Sequence, residues 1–148
     1  KAHDMEIWYV DPNVNGSNIV KDCHKVNWPE AISHVDYIVF TAPLNKHTKH
    51  MLNAKTAKLL RTGVKIINVG RGSLIDETVI VDGLKSGVIA SAALDVFENE
   101  PVRPDTHTDL LKFSDRLVLG SHNGSNTKEA VSFVSKLSIK KLKKFLDS

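Results

Sequence analysis

The chain has 148 residues, 41% of them apolar, with 20 basic against 17 acidic side chains for a net charge of +3. That is one domain's length with enough apolar material for a core, which excludes wholesale disorder, and the charge is too balanced to imply a nucleic-acid partner. Cys23 stands alone, so an internal disulfide is excluded; a single thiol, ordinarily buried and inert, fits a reducing, cytoplasmic setting. No apolar run approaches 18 residues and the start is not signal-like, so a soluble chain without a membrane partner is expected.

Residues 1–4 are a polar lead into MEIWYV, a strand over 5–10 that stops at Asp11-Pro12-Asn13, because Pro removes a backbone donor. Asp11 thus stands at a strand end, where an acid accepts from adenosine ribose hydroxyls in dinucleotide folds; an Asx turn is the alternative reading. Residues 14–25 are polar and Gly-containing, with a short strand near 24–26, and WPEAISH, 28–34, starts a helix of one or two turns behind its Pro. The run VDYIVFTAPL reads as the clearest buried strand, ending at Thr41-Ala42-Pro43. The connection NKHTKH holds His47 and His50 three apart, but no acid or Cys completes a metal site, so a solvated loop without metal is expected.

Asn53 caps an amphipathic helix, AKTAKLLR, closed by Gly63, and Asp76 caps ETVIVDGLKS, closed by Gly87. Strands over 65–69, 91–96 and 116–119 surround the second helix as short, continuously apolar runs. That pattern predicts a doubly wound α/β fold, a parallel sheet covered on both faces and joined by right-handed crossovers. Parallel order puts the loops after the strands on one edge, where strands about 4.8 Å apart let Arg71, Glu100 and His122 converge within roughly 10 Å. Residues 126–148 form the last helix, with Val131, Val134, Leu137, Ser138, Leu142 and Phe145 on one face and four lysines over much of the rest.

The runs INVGRGSLIDE, AALDVFENEP and LGSHNGSNTKEA, in this order, resemble the second half of the nicotinamide-binding domain of the D-isomer-specific 2-hydroxyacid dehydrogenases. The resemblance covers nearly the whole chain. It implies a Rossmann-like fold, NAD as cofactor and a 2-hydroxy or 2-oxo acid as substrate. It implies Arg71, Glu100 and His122 as catalytic residues, and a cofactor lined by Asp11, by Thr41, Ala42 and Pro43, by Val69, Gly70 and Arg71, and by Asp95, His122 and Gly124. Asp95 would accept from the nicotinamide carboxamide, a pairing suited to a carboxylate. It also implies a homodimer in the full-length parent. By the same comparison, residues 1–124 are a partial NAD-binding domain lacking the first strand, its Gly-rich turn and the substrate domain, and residues 125–148 are a helix packing toward that domain. In the strand order 3-2-1-4-5-6 the first strand would lie between those at 5–10 and 36–41, so the chain alone is expected to be inactive. One departure is Ser121, where the family usually has Pro before the His.

The chemistry is coherent. A 2-hydroxy acid needs a base for its hydroxyl proton, for which His122 is suited. Glu100 would stabilise the imidazolium form, and the planar fork of Arg71 would grip the substrate carboxylate. Taken singly, Arg71 could be a solvated turn, Glu100 a strand stop and His122 a satisfied loop residue. GRGSLI is not the fingerprint GxGxxG, since Ile75 replaces the third glycine. Besides the enzyme, an NAD-sensing binding module without turnover and a non-functional fragment remain open.

Overall fold

A computed structural model describes residues 4–14 and 22–147; the lead at 1–3 and most of the expected polar connection, 15–21, lie outside them. Among the described residues, β1 (Ile7–Tyr9) pairs in parallel with β2 (Cys23–Lys25). A second parallel sheet runs β3 (Tyr37–Phe40), β4 (Val64–Asn68), β5 (Ile89–Leu94) and β6 (Leu117–Leu119), in that order. Both are short strands of a Rossmann-like α/β fold. β1 and β3 share no ladder; instead, Trp8, Tyr9, Trp28, Ile38 and Phe40 line a mostly apolar cleft of about 350 Å³ between them.

The sheet is covered on one face. Ile38, Phe40, Val64, Ile66, Ile89 and Leu94 are buried there in one core that also holds Ile80 and Leu84 of α1 (Glu77–Ser86), each such side chain contributing about 1.5–3 kcal/mol. On the other face Val39 is 52% exposed and Val118 70%. This corrects two expectations: burial on both faces, and a fully buried strand after residue 36. Alternation along β3 puts every second side chain outward, and no described helix covers that side.

Asp76 caps α1, its carboxylate accepting from Thr78 N at 3.1 Å, and Gly87 ends it at φ +79°. Asp76→Ala should lower stability by about 1 kcal/mol, read as a shifted urea midpoint. The helix expected after Asn53 is instead a 3₁₀ turn, Thr56–Leu59. Lys55, not Asn53, stands at its N-cap; Asn53 makes the turn just before it, its Oδ1 accepting from Lys55 N and Thr56 N, and the segment must reach Gly63 within one short span to start β4. WPEAISH likewise yields only a 3₁₀ turn, Glu30–Ser33. Cys23 is half-buried at the outer strand β2, not enclosed in the core.

The short helix α2 (Thr108–Leu111) leads toward β6, and α3 (Lys128–Leu146) follows the last strand. Thr127 caps α3 through Ala130 N. Its apolar face is as exposed as its lysines: Val134 is 58% and Leu142 57% open. No described helix is long and apolar enough to cross a membrane.

Candidate active site

The loop after β4 is shaped by a buried amide. Asn68, 1% exposed, accepts from Gly70 N (3.1 Å) and donates to Arg71 O (3.0 Å), so the turn closes around a fully satisfied side chain. Arg71 emerges in extended conformation at the mouth of a 3₁₀ turn, exposed, with Nη1 donating to Gly70 O at 2.7 Å. The loop after β3 lies alongside: a Cβ on Gly70 would sit 3.0 Å from Ala42 O. Thr41, Ala42 and Pro43 therefore adjoin Val69, Gly70 and Arg71, as parallel order requires. Val69 is 53% exposed, an apolar ledge on this edge.

Past β5 the chain turns through Phe97 to Glu100. Phe97 N–H donates to Glu100 Oε1 at 3.0 Å, and the other oxygen meets His122 Nδ1 at 2.8 Å. The side chains are 37% and 43% exposed, at the wall of a hollow of about 520 Å³ that Val102 and Ser121 also line. With Nδ1 engaged, Nε2 is the atom left to exchange a proton with a substrate.

Hydrogen bonding from His122 first, then from the Phe97 N–H, and after these the positive charges of His122 and Arg71, hold Glu100 below the usual carboxylate range. Its folded value is thus below its unfolded one. Its share of stability is present above the ordinary glutamate value and is lost as pH falls through the lowered one.

The His122 loop is clamped by Asp95. One carboxylate oxygen accepts from Asn123 N (3.3 Å) and the other from Gly124 N (3.0 Å). Gly120 permits the approach, since a Cβ there would lie 2.2 Å from Asp95 Oδ1. His122 itself has φ +57°, a conformation costing a β-carbon residue about 1–3 kcal/mol, which the clamp and the Glu100 bond offset. A carboxylate has about four acceptor positions, so Asp95 retains capacity for a carboxamide N–H₂.

Glu100 and His122 are therefore in direct contact. Arg71 is near enough to act on Glu100 through its charge, although its guanidinium bonds its own loop. Asp11 lies apart in the other sheet, after β1, and forms the Asx turn, its Oδ1 accepting from Asn13 N at 2.8 Å. Sequence reasoning missed Asn68, which looked like one more strand residue, and the clamping role of Asp95. It also missed His50. The solvated-loop reading is corrected there, because Nε2 of His50 meets Glu98 Oε1 at 2.6 Å. A polar residue ending a strand just before GxG was the one available signal for Asn68.

A parallel α/β edge carrying an imidazole–carboxylate pair, an arginine loop and an apolar ledge has the groups of a dinucleotide-dependent oxidoreductase domain. The chain belongs to the family described as D-isomer specific 2-hydroxyacid dehydrogenase, NAD binding domain, whose family model matches residues 1–124. It is 40% identical over 107 residues to glyoxylate reductase 1 of Saccharomyces cerevisiae, covering 72% of this chain and 29% of the yeast protein. Among solved structures it is similar to a glyoxylate reductase from Paecilomyes thermophila, with TM-score 0.85 and 33% identity over 96% of this chain and 42% of that one. A D-isomer specific 2-hydroxyacid dehydrogenase from Xanthobacter autotrophicus, solved with NADPH and MES, gives TM-score 0.70 and 28% identity over 82% of this chain and 49% of that one. The chain thus spans less than half the length of these relatives.

Proposed function

We propose that this chain is the cofactor-side half of the active site of an NAD-dependent oxidoreductase acting on a 2-hydroxy or 2-oxo acid. The observation that carries the reading is the 2.8 Å contact between His122 Nδ1 and Glu100 Oε2 at the carboxyl edge of the sheet. A module that only senses NAD needs no such acid–base pair.

When bound, the nicotinamide supplies the hydride acceptor. His122 takes the hydroxyl proton as the substrate carbon becomes a carbonyl, and Glu100 stabilises the imidazolium so formed. In the reducing direction the same proton completes the new hydroxyl. Arg71 turns from Gly70 O to the substrate carboxylate, a bidentate partner that outbids a single neutral carbonyl. Val69, with the segment Thr41 to Pro43, forms the ledge for the nicotinamide side, Asp95 meets its carboxamide, and Gly70 and Gly124 leave room for close approach. The full-length protein, offered NADH and a panel of 2-oxo acids, should consume NADH with at least one; no oxidation across the panel overturns the proposal.

Residues 1–124 then act as the NAD-binding part, and 125–148 pack toward the substrate domain, supported by the open apolar positions Val131, Leu137 and Leu142 on α3. The full-length protein would be a homodimer in the cytoplasm. Asp11 gives NAD its preference over NADP, because its carboxylate accepts from ribose hydroxyls and repels a 2′-phosphate. The Asx turn uses one of its oxygens and leaves the other for ribose. Asp11→Ala should shift the NAD/NADP ratio of kcat/KM by about 10- to 100-fold toward NADP, the value of one charged hydrogen bond. A parent already indifferent between the two cofactors would remove Asp11 from this role.

A further inference from the structure

The Arg71 and Glu100 loops leave different strands, and something must hold them in register. Gly72 sets how close they come: a Cβ there would lie 1.9 Å from the Phe97 carbonyl carbon and 2.4 Å from Glu98 N. His50, from the connection after β3, touches both loops. Its backbone N–H donates to Ser73 O at 2.8 Å, beside Gly72, and its Nε2 donates to Glu98 Oε1 at 2.6 Å, two residues before Glu100. Glu98 is held from the far side too, its N–H donating to Glu77 Oε1 at 2.6 Å.

The His50 and Glu98 side chains are 36% and 25% exposed, so their bond is shielded from full solvent competition. His50 also sits at φ +49°, a strained choice for a residue with a β-carbon, kept where surrounding bonds over-determine it.

We propose that His50 is a positioning residue: through Glu98 it fastens the Arg71 loop to the Glu100 loop, so that guanidinium and carboxylate–imidazole pair face one substrate. The proposal rests on the function proposed above and adds to it a residue outside the three runs that define the family resemblance. Losing the strut leaves Glu98 held by its N–H to Glu77 alone and loosens the Phe97–Glu98 peptide, next to the Phe97 N–H that donates to Glu100.

The test compares His50→Leu with His50→Gln in the full-length protein. Both keep the backbone N–H and the positive φ, but only Gln offers a donor near the Nε2 position. His50→Leu should lower kcat by roughly 10- to 100-fold, as removal of an outer-shell partner does, with KM for NAD within about twofold. His50→Gln should recover most of the loss, and adding Glu98→Ala to His50→Leu should cost little more. Equal rates for Leu and Gln, whether both slow or both as fast as the parent, would overturn the proposal.

A second readout needs no turnover. Followed by carboxyl carbon resonance, the Glu100 titration in Glu98→Ala should move up toward the ordinary glutamate value as the Phe97 N–H drifts away. An unmoved midpoint overturns the strut even if His50→Leu does not fold. An inactive parent with a moved midpoint overturns the dehydrogenase reading and supports the strut.

Discussion

His122→Ala in the full-length protein is expected to lower kcat by roughly 10²- to 10⁴-fold, the usual share of a positioned acid–base group. The substitution removes the proposed proton acceptor and leaves Arg71, the ledge at Val69 and the Asp95 clamp in place, so substrate and cofactor binding should change far less than turnover. The fall should appear equally in kcat and kcat/KM, the signature of an interaction made mainly in the transition state. Glu100→Gln should act in the same direction: its amide can still bond Nδ1 but brings no negative charge to an imidazolium. Because Glu100 is held below the usual carboxylate range, its protonation limits activity only on the far acid side. Steady-state rates across pH check both. Unchanged turnover in His122→Ala would take the residue out of the mechanism.

Gly72→Ala is expected to damage stability and site together. The added methyl would have to occupy space 2.0 Å from Phe97 O and 1.9 Å from its carbonyl carbon, backbone atoms that cannot rotate away. Neither side can yield easily. Gly72 is buried at the head of its 3₁₀ turn, whereas Glu98 is tied to Glu77 and His50. Overpacking of this kind costs about 1–3 kcal/mol and sometimes more. Whatever relief occurs separates the Arg71 loop from the Glu100 loop, and a displacement near 1 Å can cost about 10²-fold in rate. Denaturant midpoints and kcat, measured together, check the prediction. A variant with parental stability and rate would mean that the two loops are not in the close contact described.

The sequence by itself determined the parts of this protein that depend on local chemistry. Asp76 and Gly87 bracket α1 because a carboxylate satisfies first-turn N–H groups and glycine tolerates positive φ. The apolar runs at 64–68 and 89–94 became neighbouring parallel strands because a short crossover helix between them permits little else. That topology alone put Arg71, Glu100 and His122 on one edge, and the runs around them carried the resemblance to the family. Tertiary structure decided what depends on contacts across the chain. The face of the sheet that stays open, the collapse of AKTAKLLR to a 3₁₀ turn, and the exposed apolar face of α3 all turn on what packs against each segment, which periodicity does not encode. The same holds for the second layer of the site. Asn68 folds back on Arg71 O, Asp95 clamps Asn123 and Gly124, and His50 reaches Glu98 across 48 positions. Bonds of that kind join residues whose separation along the chain carries no pattern, so only the closing of the sheet brings them within reach.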